Sequence, residues 1–139
     1  MTQTAARKGT MFKNAKAFSS FSVSNIAEAK EFYGEKLGLD VLEEEEGLGI
    51  TLSDGGLVFL YPKADHAAAS FTVLNFHADS IDEAVDELKS RGIIFESYEG
   101  DIATDANGIF RGAEKNSGPN IAWFKDPSGN ILSVIETEE

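Results

Sequence analysis

Two histidines, one tryptophan and one loop arginine are the side chains through which this sequence could do chemistry. His77 shares a strand face with Asn75, because every second residue of a strand points to the same side. An imidazole beside a carboxamide can hydrogen-bond a ligand or act as a general acid or base. A histidine at a strand rim with neither role is the alternative. His66 lies in a loop, where a surface role is favoured.

Trp123 is the residue that we most expect to touch a ligand, because its ring offers a flat stacking surface and one N–H donor. Arg111 is the only cation before Lys115 in a stretch, residues 99–119, that is rich in Gly, Asn, Asp and Ser. From such a loop its guanidinium could reach a binding site and pair with an anionic ligand. A solvated loop arginine is the alternative.

Several chemical classes are excluded by composition or by missing motifs. The chain has no cysteine, which excludes disulfides, cysteine-ligated metal centres and thiol nucleophiles. No serine lies in a Gly-x-Ser-x-Gly elbow, no glycine-rich loop opens a helix with phosphate-binding spacing, and no zinc-type histidine pair occurs. Motifs alone therefore predict no catalytic class. A chain without cysteine suits a reducing compartment, so we expect a cytoplasmic protein.

The charge is strongly negative and unevenly distributed. The formal net charge of the 139 residues is −12, yet residues 1–16 carry four basic side chains and no acidic one. The acidic body repels nucleic acid and anionic membrane surfaces, so we expect neither as a partner. No stretch reaches the roughly 18–20 apolar residues of a membrane span. We interpret residues 1–15 as a disordered basic tail, with an organelle-targeting presequence as the alternative.

The stretch from Ile121 to Glu136 predicts a closing β-hairpin. Two apolar runs flank Asp126-Pro-Ser-Gly-Asn130, whose residue types favour a tight turn. Alternation places Ile121, Trp123, Ile131, Ser133 and Ile135 on one set of faces, and Ala122, Phe124, Leu132 and Val134 on the other. Because both sets are nearly free of charge, we expect one side to pack on a helix, while the other could line a cavity.

The same order of elements, strand, helix and three strands, is predicted twice. Asn25 and Ser80 each have the residue type of a helix N-cap and are followed three residues later by Glu28 and Glu83. The predicted strands cover residues 16–23, 39–45, 49–52 and 57–61, and then 71–78, 93–98 and the two arms of the hairpin. We therefore predict a first module over residues 16–63, a linker over 64–70 and a second module over 71–139 with a loop at 99–119. The modules should pair, because neither could cover its own sheet.

These features together resemble a known family. The two βαβββ modules, Phe32-Tyr33 followed by Leu37-Gly38, and Phe124-Lys-Asp-Pro-Ser-Gly-Asn130 resemble the vicinal oxygen chelate superfamily, which includes glyoxalase I, bleomycin resistance proteins and extradiol dioxygenases. The resemblance covers about residues 16–136. It implies an α+β fold in which the two modules pair into a cupped mixed sheet, with the ligand inside the cup.

The resemblance also implies where a metal would be held. Metal-dependent members place His, Gln or Glu on the first strand of each module and Glu on the last. In this sequence those positions fall on Phe18, Val73 and Ser133, with the fourth near Phe59 or Tyr61. Phe and Val cannot coordinate a metal, and a lone serine hydroxyl is a poor substitute for a carboxylate. We therefore expect no metal and no other cofactor.

What remains is a mainly apolar and aromatic cup. Strand parity and the resemblance assign to it Phe18, Ser20, Phe59, Tyr61, Asn75, His77, Ile121, Trp123, Ile131 and Ser133, with Arg111 as a further candidate. Apolar walls with a few polar groups are typical of small-molecule sites. The alternative is that these aromatic side chains only fill the interior.

The sequence thus predicts a metal-free protein of this superfamily that binds and sequesters a small molecule, as bleomycin resistance proteins do. The alternative is an enzyme: a lyase, isomerase or dioxygenase with a relocated metal site or with acid–base chemistry at His77. A structural or regulatory module that binds a partner is a third class. The resemblance further implies a homodimer with its sites between the subunits.

Overall fold

The computed structural model describes residues 11–137, so residues 1–10 of the predicted tail lie outside the described part. The first half consists of β1 (Ser19–Val23), α1 (Ile26–Lys30) with a π-helical continuation (Glu31–Lys36), β2 (Asp40–Glu44), β3 (Gly47–Thr51) and β4 (Leu57–Pro62). The second half consists of β5 (Thr72–Ala78), α2 (Ile81–Ser90), β6 (Ile109–Arg111), β7 (Asn120–Lys125) and β8 (Ile131–Glu136). Short 3₁₀ turns cover Gly100–Ile102 and Gly112–Lys115.

The strands form two four-stranded mixed sheets of the same topology. Their orders are β1-β4-β3-β2 and β5-β8-β7-β6. In each sheet the first and last strands of the module run parallel, and the other neighbours run antiparallel. The predicted α+β class with two βαβββ units is confirmed. None of the helices within residues 11–137 has the length and apolar character that crossing a membrane requires.

Local sequence signals set both helices as predicted. The side chains of Asn25 and Ser80 accept hydrogen bonds from the backbone N–H groups of Glu28 and Glu83, at 2.9 and 3.3 Å. These bonds satisfy N–H groups that have no partner inside the helix. Gly38, with φ of +74°, ends the first helix in the left-handed conformation that glycine adopts without steric cost.

One predicted strand is wrong. Residues 93–98 form only an isolated bridge between Phe95 and Phe124, followed by a hydrogen bond from the Glu96 N–H to the carbonyl of Trp123 at 2.8 Å. The outer strand of the second sheet is instead β6, which lies inside the predicted loop 99–119 and pairs with the first half of β7. The outer edge of the second sheet is therefore formed by β6 together with the bridge at Phe95, whereas β2 alone forms this edge in the first sheet.

A single hydrophobic core joins the two modules. One face of each sheet contributes to it: Leu48, Ile50, Val58 and Leu60 from the first, and Ala122, Phe124, Leu132 and Val134 from the second. Both helices pack there through Ala29, Phe32, Tyr33, Ile81 and Val85. The hairpin faces are as predicted, since Trp123 pairs with Ser133 and Phe124 with Leu132. The opposite face of each sheet is not part of this core.

A buried carboxylate ties the modules together. Asp126, in the β7–β8 turn, is 5 % exposed and accepts a hydrogen bond from the Tyr33 hydroxyl at 2.7 Å. It also accepts from the backbone N–H groups of Ser128 and Asn130 and from the Asn130 side chain. That side chain in turn donates to the carbonyl of Ser22 on β1 at 2.9 Å. Burial, with the adjacent Asp126 charge, raises the pKa of Tyr33, so the phenol stays protonated as a donor.

Replacing Tyr33 by Phe should lower the free energy of unfolding by about 1.5 kcal/mol, because a buried carboxylate loses one hydrogen-bond donor. Urea denaturation of the wild type and of the variant measures this difference. Tyr61→Phe is the matched control, since Tyr61 is half-exposed, and it should change stability by less than about 0.5 kcal/mol. Equal effects of the two substitutions would contradict the role given to the Tyr33–Asp126 bond.

Candidate functional site

The second sheet carries an aromatic cluster on the face opposite the core. Trp123 lies at its centre and is half-buried. Its ring centroid is 5.3 Å from that of Tyr98 in an edge-to-face arrangement and 6.2 Å from that of Phe110. The cluster forms because β6 places Phe110 beside Ile121 on the same face as Trp123. Burial raises the pKa of Tyr98, and the nearby Glu96 raises it further.

Next to this cluster is a cavity of about 660 Å³, which we call the tryptophan cavity. Its lining residues include Trp123, Tyr98, Ile102, Ile131, Phe71 and Thr72, with Glu96 and Lys125 as charged groups. The amine of Lys125 lies 3.7 Å from the Glu96 carboxylate, so these charges largely offset each other. A cavity of this size with mainly apolar walls can hold an organic molecule.

Asn75 and Ser133 are brought together across the parallel pair of β5 and β8. Ser133, a residue with no exposed surface, donates a short hydrogen bond to the Asn75 side-chain oxygen. The two residues are direct neighbours in the strand register. The hydroxyl at the last predicted metal position is therefore already committed to a protein partner.

On the first sheet, Phe59 and Tyr61 form a second aromatic surface on the face opposite the core. Their rings are nearly parallel, at 18°, with centroids 6.5 Å apart. Gly47 leaves room for this arrangement, since a Cβ there would lie 3.0 Å from the Phe59 ring and 2.1 Å from the Leu60 carbonyl. Ser20 lies beside Phe59 in the β1–β4 register.

A second cavity, of about 380 Å³, lies where β1 approaches the start of β5; we call it the linker cavity. Its lining residues include Ser20, Ser22, Tyr61, Ala69, Phe71 and Asn130. Phe71 is 68 % exposed and borders both cavities. Phe71 thus lies between the cavity that Tyr61 lines and the cavity that Trp123 lines.

The expected metal positions do not fit a divalent cation. Phe18 precedes β1, is 63 % exposed and offers no donor atom. Val73 lies where the register of β5 shifts, and it packs against the core. Within residues 11–137, no three His, Asp or Glu side chains cluster in a way that could hold a metal.

The two histidines occupy different places. His77 is exposed on the edge strand β5 and borders a small pocket of about 210 Å³ that Leu37, Leu88 and Phe124 also line. It does not line either of the two cavities above. His66, expected at the surface, is half-buried in the linker and hydrogen-bonded through both ring nitrogens.

Arg111 lies on the helix side of the second sheet and does not reach over the cup. It is on β6, and two of its guanidinium nitrogens bind the carboxylate of Asp82 in α2 at 2.7 and 3.1 Å. Its Nε donates to Asp105 at 3.1 Å. The hydrogen bond with Asp82 raises the pKa of Arg111 and lowers that of Asp82. The sequence-based interpretation of Arg111 as a loop side chain fails because residues 109–111 form a strand.

A family model decides the affiliation of the chain. The model of the Glyoxalase/Bleomycin resistance protein/Dioxygenase superfamily matches residues 18–134. The chain belongs to this superfamily. The match spans both βαβββ modules and includes every cavity residue named above, so the sequence-based assignment of the superfamily is confirmed. No curated protein shows significant sequence similarity to the chain.

Solved structures share the fold of this superfamily member. A glyoxalase family protein from Enterococcus faecalis is 24% identical, with a TM-score of 0.64 over 91% of this chain and 100% of that one. TnmS3, an antibiotic-binding protein from Streptomyces sp. CB03234, is 20% identical, with a TM-score of 0.61 over 88% and 97%. An integron cassette protein from V. cholerae is 20% identical, with a TM-score of 0.56 over 88% and 96%. At these identities the likeness establishes the fold.

Sequence reasoning missed Tyr98, Phe110 and Phe71 as site residues. The signal for Phe110 was the apolar pair Ile109-Phe110 inside a polar stretch, which is typical of a short strand. Tyr98 gave no such signal, because it touches Trp123 from irregular backbone. The contacts of His66 with Ser22 and Ser128 span 44 and 62 residues, so no local pattern indicates them.

Arg111→Met should lower the free energy of unfolding by about 1 kcal/mol at low salt and by less at high salt, because the carboxylates of Asp82 and Asp105 lose their guanidinium partner. Urea denaturation at two salt concentrations measures this. Arg91→Met is the matched control: Arg91 forms an exposed pair with Glu87, and its loss should cost less than about 0.5 kcal/mol. Loss of ligand binding in stable Arg111→Met protein would instead support a role in the site.

Proposed function

We propose that this superfamily member binds and sequesters a flat, mainly apolar organic molecule, without a metal, by stacking it on the aromatic surfaces. The observation that carries this proposal is the half-buried Trp123, held by Tyr98 and Phe110 at the wall of the tryptophan cavity. Stacking on a rigid aromatic side chain supplies affinity at a small cost in side-chain entropy.

The polar groups around the cavity narrow the ligand class. The Tyr98 hydroxyl and the Glu96–Lys125 pair offer hydrogen bonds at the edge of an otherwise apolar wall. Arg111, the expected partner for an anion, is held by two carboxylates on the other side of the sheet. The chain carries a net charge of −12, which disfavours the approach of anions. Neutral or cationic ligands therefore fit best.

Two further arguments support binding without a metal. The positions that hold a metal in metal-dependent members carry Phe18, Val73 and the hydrogen-bonded Ser133 here. In addition, one solved structure of the same fold is that of an antibiotic-binding protein. We place this activity in the cytoplasm, because a chain without cysteine suits a reducing compartment.

We also propose that the protein acts as a homodimer. Phe71, which is 68 % exposed between the two cavities, belongs to an apolar surface that a second copy would cover. Burial of such a residue in a symmetric interface would extend the apolar walls of both cavities. The same arrangement is implied by the resemblance to bleomycin resistance proteins.

Trp123→Ala should weaken the binding of Nile red, a neutral planar dye, about tenfold, because the ligand loses its stacking surface. Dye emission measures binding, and energy transfer from the single tryptophan of the wild type reports on proximity. Trp123→Phe should retain most of the affinity. Ile94→Ala is the matched control, because Ile94 is 82 % exposed and lies outside both cavities.

Two outcomes would contradict the binding proposal. Equal dye affinity in Trp123→Ala and Ile94→Ala would show that the dye binds elsewhere. Loss of dye binding after treatment with EDTA, with recovery on adding Zn²⁺ or Mn²⁺, would show that a metal takes part. Native mass spectrometry of protein purified without chelators shows whether a metal is bound and identifies retained organic molecules.

Light scattering coupled to size-exclusion chromatography should give a molar mass twice the 15.0 kDa of one chain. Phe71→Asp should shift the mass to that of one chain, because the interface would then bury an unpaired carboxylate. Ile94→Asp, at a still more exposed position outside the cavities, should remain dimeric. A monomeric wild type would refute the dimer and leave the binding proposal standing.

No specific observation favours the alternative of an enzyme that uses His77 as a general acid or base. His77 is exposed and lies apart from the aromatic surfaces. A general acid or base must lie within hydrogen-bond reach of the reacting group. His77 lines neither the tryptophan cavity nor the linker cavity.

A further inference from the structure

A serine–histidine pair lies at the junction of the two modules. The hydroxyl of Ser22, on β1, lies 2.6 Å from Nδ1 of His66, in the linker. Nε2 of the same ring lies 3.0 Å from the backbone carbonyl oxygen of Ser128, in the β7–β8 turn. Both contacts are partly buried. The three residues come from segments that only the tertiary fold brings together.

The carbonyl of Ser128 determines the tautomer of the ring. A carbonyl oxygen only accepts hydrogen bonds, so Nε2 must carry the proton. In the neutral imidazole the lone pair is then on Nδ1, which accepts the hydroxyl proton of Ser22. A hydroxyl bonded to a histidine whose other nitrogen is held by a third group is the arrangement that activates a serine nucleophile.

The supporting hydrogen bonds make this arrangement rigid. The carbonyl of Ser22 accepts from the Asn130 side chain at 2.9 Å. The backbone N–H of Ser128 donates to Asp126 at 2.9 Å, which fixes the turn that supplies the carbonyl. The backbone N–H of His66 donates to the carbonyl of Lys63 at 3.0 Å. Each of the three residues, Ser22, His66 and Ser128, is thus positioned by a backbone hydrogen bond of its own.

The nucleophile also has access to a substrate. Ser22 lines the linker cavity of about 380 Å³, a volume that suits a small ester. The hydroxyl-bearing residues Ser20, Tyr61 and Thr72 line the same cavity and offer O–H donors, while Ala69 and Phe71 supply apolar walls. This cavity is separate from the surface of Trp123, which does not line it.

We propose that Ser22 and His66 form an acyl-transfer dyad that hydrolyses small carboxylic esters in the linker cavity. Oγ of Ser22 forms a bond to the ester carbonyl carbon while its proton passes to Nδ1 of His66. The bond from that carbon to the leaving oxygen breaks, and the leaving oxygen takes the proton from Nδ1. Water then attacks the acyl–serine ester by the same route, which releases a carboxylic acid and restores Ser22.

This activity is distinct from sequestration by the aromatic surfaces, so the two proposals fail separately. Absence of labelling at Ser22 would leave the dye-binding result at Trp123 standing, and absence of dye binding would leave the labelling result at Ser22 standing. The two sites share only the wall residues Ala69, Phe71 and Thr72.

A fluorophosphonate probe tests the dyad, because it transfers its phosphonyl group to an activated serine and releases fluoride. Intact mass spectrometry of the full chain should show one adduct, and peptide mapping should place it on Ser22 and not on Ser20 or Ser24. Heat-denatured protein should not react. Ser22→Ala should lose the adduct, and Ser53→Ala, in the exposed β3–β4 turn, should keep it.

His66→Gln separates a chemical role from a structural one. The glutamine amide can accept from Ser22 and donate to the carbonyl of Ser128, so it can keep both cross-links, but it cannot take up the serine proton. Labelling should fall by about 10²-fold or more, while the unfolding midpoint stays close to that of the wild type. The release of p-nitrophenolate from p-nitrophenyl acetate should fall in parallel.

Two results would overturn the dyad. One is a wild-type protein unlabelled at Ser22 under conditions in which a serine esterase is labelled. The other is equal labelling of the wild type and of folded His66→Gln, which would remove His66 from the chemistry.

Discussion

The carboxylate of Asp126 holds the two modules in one arrangement. It is buried in the β7–β8 turn and accepts hydrogen bonds from Tyr33 of the first module and from Ser128 and Asn130 of its own turn. A buried charge is tolerated only when donors surround it, so each of these groups is required in its place. Asn130 extends the network to the carbonyl of Ser22 on β1. Both the shared core and the junction between the modules depend on this network.

The two faces of each sheet carry different kinds of side chain. One face of each sheet packs on the helices, and the other carries aromatic and hydroxyl side chains. The positions that hold a metal in metal-dependent members now carry phenylalanine, valine and a serine engaged with Asn75. The proposed binding without a metal would therefore rely on ring surfaces and hydrogen bonds, whose strength depends on how rigidly the neighbouring strands hold the rings.

Charge is arranged so that the site stays mainly apolar. Arg111 is paired with Asp82 and Asp105 on the helix side of the second sheet. Lys125 and Glu96 pair at the edge of the tryptophan cavity. Within the described part of the chain, no buried side-chain nitrogen or oxygen lacks a hydrogen-bond partner. The polar groups near the cavities include the hydroxyls of Ser20, Tyr98 and Thr72, which suit neutral ligands and esters alike.

The sequence by itself determined the elements whose causes are local. The N-caps at Asn25 and Ser80, the left-handed Gly38 and the two faces of the hairpin follow from residue types and alternation, and all are present. From these and the order of the modules the superfamily could be recognised, and Trp123 could be placed on the hairpin face that does not carry Phe124.

Only the tertiary structure decided the contacts that join distant segments. Residues 109–111 form a strand because the edge of β7 offers hydrogen-bond partners there, and residues 93–98 then contribute a single bridge. Arg111 turns away from the cup because Asp82, 29 residues earlier, lies on the other side of the sheet. His66 meets Ser22 and Ser128 because the Asp126 network brings β1 and the turn together. Such contacts arise from burial and charge pairing across the fold, which leave no periodic pattern along the chain.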